Sequence, residues 1–238
     1  MRQLTITSTY QGPFGAVNGG YVAGILADAL GGAPTNVRIR KPVPVDTPIY
    51  LARRIDSALL RYEDQTIASA EIIDDDIPET SFVSLDEVLA GERPQLDLGM
   101  FASCFVCGLG APEGLGIQPV RLEDDRFAAV WQPADSDLVG PGPVPEAYLR
   151  CALDCPGGFA VIHANQALAV TGTLTTKVNF RPDASERLIV VGESTWSEGR
   201  KLGATTTVFT ESADVVATAS AVWVALNPVA SRLAEAVA

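Results

Sequence analysis

The stretch NGGYVAGILADALGG, residues 18–32, predicts the helix around which the first half of the chain folds. Its apolar side chains recur at the three- and four-residue spacing of one helical face. They are Val22, Ile25, Leu26, Ala29 and Leu30. Asn18 is a good N-cap residue, and Gly31 and Gly32 are typical of a helix end. Because only one face is apolar, a sheet or a second helix must cover it.

Strand-like segments surround this helix. A glycine-rich turn at residues 11–15 separates the first segment from the helix, and a polar stretch at residues 90–99 predicts a linker. The predicted strands are residues 4–9, 36–42, 49–60, 66–74 and 81–85. The first half therefore has one strand, then one helix, then several strands.

The second half repeats this order. Its helix begins near Pro145, a residue that suits a first helical turn, and follows a hairpin with the charged turn Glu123-Asp124-Asp125. The predicted strands are residues 117–122, 126–131, 172–180, 188–194, 202–210 and 215–226. The segment VRIRKP at residues 37–42 also matches KVNFRP at residues 177–182, since both end in a cation followed by proline.

This self-similarity indicates a duplicated domain rather than a short repeat. The 238 residues suffice for two domains of about 120 residues each. We place the N-terminal domain at residues 1–98 and the C-terminal domain at residues 99–238. A single irregular α+β domain is the alternative.

Composition excludes several classes of partner. The net charge is −12, and the chain has no long basic run of the kind that neutralises nucleic-acid phosphates. No apolar run approaches the roughly 18 residues that span a bilayer, and the N-terminus lacks the layout of a signal peptide. We therefore expect a soluble cytoplasmic protein with neither a nucleic-acid nor a membrane partner.

A helix followed by long antiparallel strands has a natural packing, in which the sheet curls around the apolar face of the helix. This is the hotdog arrangement, and four segments of the chain resemble hotdog thioesterases. They are NGGYVAGIL at residues 18–26, CFVCGLGAPEGLGI at 104–117, PEAYLRCALDCPGGFAV at 145–161 and EGRKLGATTTVF at 198–209. The order of the four segments makes the resemblance specific for the fold.

The resemblance is to type II acyl-CoA thioesterases, which are double hotdogs. It implies an α+β fold of two tandem hotdog domains, each a curled antiparallel sheet around a central helix. It also implies an acyl-CoA thioester as the small-molecule partner, with coenzyme A present only as part of the substrate and no separate cofactor. Single hotdogs pair into dimers, so the fused chain makes that pair internally. A homodimer of double hotdogs is the further assembly that the resemblance allows.

The resemblance also implies site residues. Asp154 aligns with the catalytic aspartate on the second helix, Gly19 and Gly20 with the glycines that open the first helix, and Thr175 or Thr176 with a polar strand residue. Three positions depart from the pattern. Ala221 replaces a late-strand glutamine, while Asn18 and Pro145 stand where many single hotdogs have a histidine.

The helix start at Asn18-Gly19-Gly20 supports thioester chemistry. A helix N-terminus offers unpaired N–H groups and a positive dipole end. Because glycine has no Cβ, a carbonyl could approach those donors closely and be polarised there. Asn18 is expected to cap the helix, contact the thioester, or do both. The alternative is that the glycines only allow tight packing of the helix on its neighbours.

Asp154 is the candidate general base. It lies in a mostly apolar context, where a carboxylate is costly unless it is used or paired. Pro156 follows two residues later and should break the helix, because proline cannot donate a backbone hydrogen bond. The alternative is a carboxylate that caps Gly157-Gly158 or makes an internal hydrogen bond.

Further candidates concern substrate binding. These residues are Tyr21, Glu146, Thr175, Thr176, Arg200 and Lys201. Glu146 lies in a first helical turn, where the helix dipole alone explains an acid. Arg200 and Lys201 form one cationic cluster for phosphates, and Arg38, Arg40 and Lys41 form a second. The alternative for both clusters is a solvated surface.

The four cysteines raise the question of whether the protein binds a metal ion. Cys104 and Cys107 have the spacing of zinc ligands, and Cys151 and Cys155 lie one helical turn apart. A four-thiolate zinc site is arithmetically possible. Buried structural thiols are the favoured interpretation, and no metal is expected.

The sequence thus predicts a thioester hydrolase in which Asp154 activates water. The alternative of another class is a non-catalytic acyl or acyl-CoA binding protein, which the missing histidine and glutamine favour. A duplicated fold without a ligand site also stays open. A hotdog dehydratase ranks last, because His163 lies too late in the chain. Since the halves keep different features, we expect one composite pocket between them.

Overall fold

The computed structural model describes residues 1–94, 99–111 and 113–226. Its strands form one antiparallel sheet. They are β1 (Arg2–Thr5), β2 (Thr35–Ile39), β3 (Pro48–Arg53), β4 (Ser57–Tyr62), β5 (Gln65–Ile72), β6 (Val120–Arg121), β7 (Phe127–Trp131), β8 (Ala169–Val178), β9 (Leu188–Glu198), β10 (Lys201–Thr210) and β11 (Val215–Ala225). The α-helices are α1 (Gly19–Ala29), α2 (Leu85–Ala90), α3 (Glu146–Ala152) and α4 (Cys155–Asn165).

The strand order is β1-β3-β4-β5-β2-β8-β11-β10-β9-β7-β6. The two halves therefore mirror each other about the β2–β8 pair. The match of VRIRKP with KVNFRP makes Thr35 equivalent to Thr175 and Asn36 equivalent to Thr176. In the sheet, Thr35 pairs with Thr176 and Asn36 pairs with Thr175. This reciprocal register is what a twofold relation between duplicated halves produces.

Helices α1, α3 and α4 pack on one side of the sheet, whereas α2 packs through Val88 on the opposite face of β7 and β9. Helix α1 contacts β2, β4 and β5 of the first half and β8 and α3 of the second, while α4 lies on β7, β9 and β10. Buried side chains from both halves join in one apolar core. The core includes Val22, Leu26, Leu149, Leu153 and Leu174. The interface between the halves is therefore part of the core.

Helix α4 approaches the sheet very closely. A Cβ on Gly157 would lie 2.6 Å from the Thr206 hydroxyl oxygen, and one on Gly158 would lie 2.5 Å from the Trp223 ring. These glycines let the helix sit directly on β10 and β11, which fixes the position of its first residues.

The helix break predicted at Pro156 is confirmed. Helix α3 ends at Ala152 and α4 begins at Cys155, so Leu153 and Asp154 form the junction. Proline at the second position of α4 has no N–H to donate and is well tolerated there.

Two predicted strands were wrong. The single strand at residues 49–60 is a hairpin of β3 and β4, closed by a bond from the Arg54 N–H to the Ser57 carbonyl at 2.7 Å. The strand at residues 81–85 is absent, because Ser84 and Glu87 form a capping box that begins α2. Helix α2 ends at Ala90, the first residue of the predicted linker. Residues 95–98 of that linker lie outside the described residues, and so does residue 98 at the predicted domain boundary.

The other predicted strands and the charged hairpin turn are confirmed with ends shifted by a few residues. Two of them are shorter than predicted: Ser8 and Thr9 of the first lie in a 3-10 helix, and the strand predicted at residues 117–122 is only Val120–Arg121. Within the described residues, no helix is both long enough and apolar enough to cross a lipid bilayer.

Candidate active site

Asp154 lies at the junction of α3 and α4, where it is 3% exposed. Its Oδ1 accepts a hydrogen bond from the Thr171 hydroxyl at 2.7 Å. Its Oδ2 accepts from the Gly20 N–H at 3.1 Å and from the Asn18 side-chain amide at 3.2 Å. Residues from both halves of the chain therefore hold the carboxylate in one orientation.

The electrostatics of Asp154 reflect two opposing effects. Burial is the largest cause that raises the pKa of its carboxyl, nearby Cys104 raises it by a smaller amount, and the resulting pKa is about 6. The hydrogen bonds from Thr171, Gly20 and Asn18 favour the charged form and limit the rise. A carboxyl with this pKa is ionised at neutral pH yet basic enough to take a proton.

Asn18 joins the start of α1 to this carboxylate. Its side-chain oxygen accepts from the Tyr21 N–H at 3.1 Å, which caps the helix. Its side-chain amide faces Asp154 and lies 3.7 Å from the Cys104 sulfur. Asn18 therefore caps the helix and positions the acid with the same side chain.

Gly20 serves both packing and hydrogen bonding. A Cβ there would lie 2.6 Å from the Cys151 Cα, so glycine is needed where α1 crosses α3. Its N–H is already donated to Asp154. The sequence had offered this N–H as a carbonyl-polarising donor, and the structure places it on the carboxylate instead.

Gly19 precedes Gly20 and lines a cavity of about 320 Å³. A Cβ on Gly19 would lie 2.9 Å from the Thr171 hydroxyl oxygen and 3.2 Å from the Asp154 Oδ2. As the first residue of α1, Gly19 has no acceptor for its N–H within the helix.

The cavity is mostly apolar and lies between the halves. Asn18, Gly19, Asp154 and Thr171 lie along its polar part. Its apolar lining includes Ile39, Val43, Phe101, Val170, Trp223 and Leu226. The glycine helix start of one half and the buried acid of the other thus meet in one composite cavity.

The cationic clusters differ in their relation to this cavity. Arg40 and Lys41 line it, although Arg40 also donates to the Ser69 hydroxyl at 2.7 Å. Arg200 and Lys201 are exposed and are not among its described lining residues. Arg200 instead donates to the Ala225 carbonyl at 2.9 Å.

Glu146 and Thr176 lie apart from the cavity and hold a buried arginine. Arg150 is fully buried and pairs with the Glu146 carboxylate at 2.7 Å. It also donates to the Thr176 hydroxyl and to the Gly32 carbonyl at 3.0 Å. The structure thus gives these two predicted binding residues a structural partner.

Tyr21 and Thr175 also lie outside the cavity lining. Tyr21 stacks on Tyr10 with ring centroids 3.9 Å apart, and burial together with Tyr10 raises its pKa. Thr175 pairs with Asn36 and Ser220 in the middle of the sheet.

Thr171 is the site residue that the sequence did not single out. Gly172, the residue after Thr171, has no partner between Val222 and Trp223 on β11, so β8 has a bulge next to Thr171. Such bulges re-aim neighbouring side chains. No motif marks it in the sequence, since β8 also contains Thr173, Thr175 and Thr176.

Three thiols converge beside Asp154. The sulfur atoms of Cys104, Cys107 and Cys155 all lie within 4.8 Å of one another, and all three residues are buried. Hydrogen bonds from the Cys107 and Cys155 thiols lower the pKa of Cys104. Cys151 lies outside this group, and burial raises its pKa.

Comparisons with known proteins address the fold. No family model matches the chain, and no curated protein matches it in sequence. A protein of unknown function with the hotdog fold, from Alicyclobacillus acidocaldarius, is similar in structure. Its TM-score is 0.64 at 13% identity, over 95% of this chain and 93% of that one.

Two further structures are similar at 13% identity. A tesB protein from Mycobacterium avium subs paratuberculosis has a TM-score of 0.58, over 89% of this chain and 88% of that one. The acyl-CoA thioesterase II TesB2 from Mycobacterium marinum has a TM-score of 0.54, over 90% of each chain. At this identity the likeness concerns the fold, and it shows that the chain is an α+β double hotdog protein, as predicted.

Proposed function

We propose that the protein is a thioester hydrolase that acts on an acyl-CoA, with Asp154 as the general base. The observation that carries the proposal is the buried Asp154 carboxylate, which lies on the wall of an apolar cavity beside the N-terminus of α1. A fixed base next to a helix N-terminus matches the needs of thioester hydrolysis, an activated water and a polarised carbonyl.

The proposed reaction uses both the Asp154 carboxylate and the N-terminus of α1. The thioester carbonyl lies against the Gly19 N–H and the positive end of the helix dipole. Asp154 takes a proton from water as the water oxygen bonds to the carbonyl carbon. The carbon–sulfur bond of this tetrahedral adduct then breaks, and Asp154 returns its proton to the departing sulfur, so that coenzyme A leaves as the free thiol. Thr171, Asn18 and the Gly20 N–H hold the carboxylate through these steps.

The lining of the cavity supports the proposed substrate class. Apolar residues such as Val170 and Trp223 suit an acyl chain, while Arg40 and Lys41 offer cations for the phosphates. The structural neighbour named acyl-CoA thioesterase II supports the same class. Coenzyme A then enters only as part of the substrate.

A non-catalytic acyl-CoA binding protein is the second candidate. One observation favours it: three donors, from Thr171, Gly20 and Asn18, already occupy the Asp154 carboxylate. Hydrogen bonds of this kind favour the charged form and make a carboxylate less basic. The binding function keeps the cavity and its cations but releases no thiol.

The experiment that separates the two is a panel of acyl-CoA thioesters of increasing chain length. Free thiol is measured with a thiol reagent, and ligand binding with the thermal unfolding midpoint. The hydrolase proposal expects catalytic thiol release for at least one chain length. Saturable stabilisation by the whole panel without thiol release would contradict it and favour the binding protein.

A further inference from the structure

A cluster of three buried thiols, from Cys104, Cys107 and Cys155, lies beside the cavity. Cys104 and Cys107 come from the loop before β6, whereas Cys155 is the first residue of α4. The Cys104 and Cys155 sulfur atoms are 3.8 Å apart. Two segments distant in sequence therefore bring three sulfur atoms to one point.

The spacing of these sulfurs matches a tetrahedral metal site. With zinc–sulfur bonds of about 2.3 Å, neighbouring sulfurs of a tetrahedron lie about 3.8 Å apart. The observed pair at 3.8 Å meets this value, and the whole group stays within 4.8 Å. Small movements of side chains would complete the geometry.

The loop that carries Cys104 and Cys107 is tightly folded around them. The Gly108 N–H donates to the Cys104 carbonyl at 2.8 Å, and the Ile117 N–H donates to the Val106 carbonyl at 2.9 Å. A Cβ on Gly108 would lie 2.5 Å from the Cys104 nitrogen, so the turn requires glycine. Such a turn holds two thiols of a Cys-x-x-Cys pair on one side.

We propose that Cys104, Cys107 and Cys155 bind a thiophilic divalent cation, Zn²⁺, as three protein ligands. Each ligating thiol gives up its proton to solvent when the ion binds. Three protein ligands leave one coordination position for water or another small ligand. Cys104 and Cys155 also line the cavity next to Asp154, so the ion lies beside the candidate active site. Metal binding by these thiols does not require that the protein hydrolyse a thioester.

This site differs from the four-thiolate arrangement that cysteine spacing allowed. Cys151 is as deeply buried as the others yet lies outside the group. It therefore provides a matched control for replacing a buried thiol.

The test measures metal binding by the full-length protein under reducing conditions. Metal content is determined after dialysis against Zn²⁺, and Co²⁺ is titrated to detect thiolate-to-cobalt charge-transfer absorption. Wild type and Cys151→Ser are expected to bind one ion each. Cys107→Ser is expected to bind at least about tenfold more weakly, because it loses a direct ligand.

Two results would overturn the inference. One is a folded, reduced wild type that binds neither Zn²⁺ nor Co²⁺. This result overturns the inference even if a separate, air-oxidised sample forms a Cys104–Cys155 disulfide. The other is a Cys107→Ser variant that binds as tightly as Cys151→Ser. If Cys107→Ser does not fold, the wild-type cobalt spectrum decides, since the absence of charge-transfer absorption contradicts thiolate ligation.

Discussion

At the scale of single residues, the candidate site is built on Asp154 and its three hydrogen-bond donors. Two donors come from the α1 start at Asn18 and Gly20, and the third is Thr171 from β8. Burial of a carboxylate is costly without such partners. The donors thus explain how a carboxylate is kept in an apolar wall.

Thr171→Val tests the donor that the sequence did not reveal. The substitution keeps the shape but removes the hydrogen bond to Asp154. Hydrogen bonds to charged groups contribute about 1.5–3 kcal/mol, so we expect the free energy of unfolding to fall by about that amount. Urea denaturation measures it. Thr175→Val on the same strand is the control, and an equal loss in both variants would contradict a specific role for Thr171.

Gly20→Ala tests the contact between the halves. The added Cβ would meet the Cys151 Cα at 2.6 Å and the Arg150 carbonyl at 2.7 Å. Overpacking of this kind costs about 1–3 kcal/mol, which thermal or urea unfolding would detect. Asp28→Ala, at an exposed position of the same helix, should change stability by no more than about 0.5 kcal/mol. Gly20→Ala with wild-type stability would mean that the helices are not in close contact.

Part of this candidate site could be predicted from the sequence. Asp154, Asn18 and Gly20 stood out because an acid in an apolar stretch and a glycine pair at a helix start are local signals. Thr171 was missed because a bulge in β8, and no local pattern, decides which threonine faces the acid. Glu146 and Thr176 were proposed for substrate, yet buried Arg150 holds both of them.

At the scale of elements, helix and strand patterns predicted most of the fold. Apolar spacing located α1, and Pro156 located the break between α3 and α4. The strand predicted at residues 81–85 was wrong because the prediction relied on the apolar residues of this segment and not on the helix-capping residues Ser84 and Glu87. Ser84 and Glu87 satisfy each other's backbone groups and start a helix there.

Ser84→Ala tests that explanation. It removes the side chain that accepts from the Glu87 N–H at 3.3 Å. Loss of an N-cap typically costs about 1 kcal/mol, and chemical denaturation is expected to show a decrease of that size. Ser81→Ala, at an exposed position outside the helix, is the matched control. A Ser84→Ala variant as stable as the control would show that the capping box contributes nothing.

At the scale of the whole molecule, the two duplicated halves build an asymmetric candidate site within the described residues. The β2–β8 pair joins the halves into a continuous sheet, and the halves contribute different groups to one cavity. The homodimer of double hotdogs stays a prediction, which light scattering during size-exclusion chromatography would test. The sequence could suggest the composite cavity because the glycine pair at a helix start lies in the first half and the acid in an apolar stretch lies in the second. It could not give their distance, which depends on how α1 crosses α3.

The most direct test of the central claim compares Asp154→Asn with wild type in acyl-CoA hydrolysis. Asparagine keeps the size of the side chain but cannot take a proton from water. General-base catalysis typically contributes about 10²–10⁴-fold, so kcat should fall by that factor. The exposed Asp28→Asn variant should keep the wild-type kcat. Equal kcat values for folded Asp154→Asn and wild type would contradict the role of Asp154 as the base.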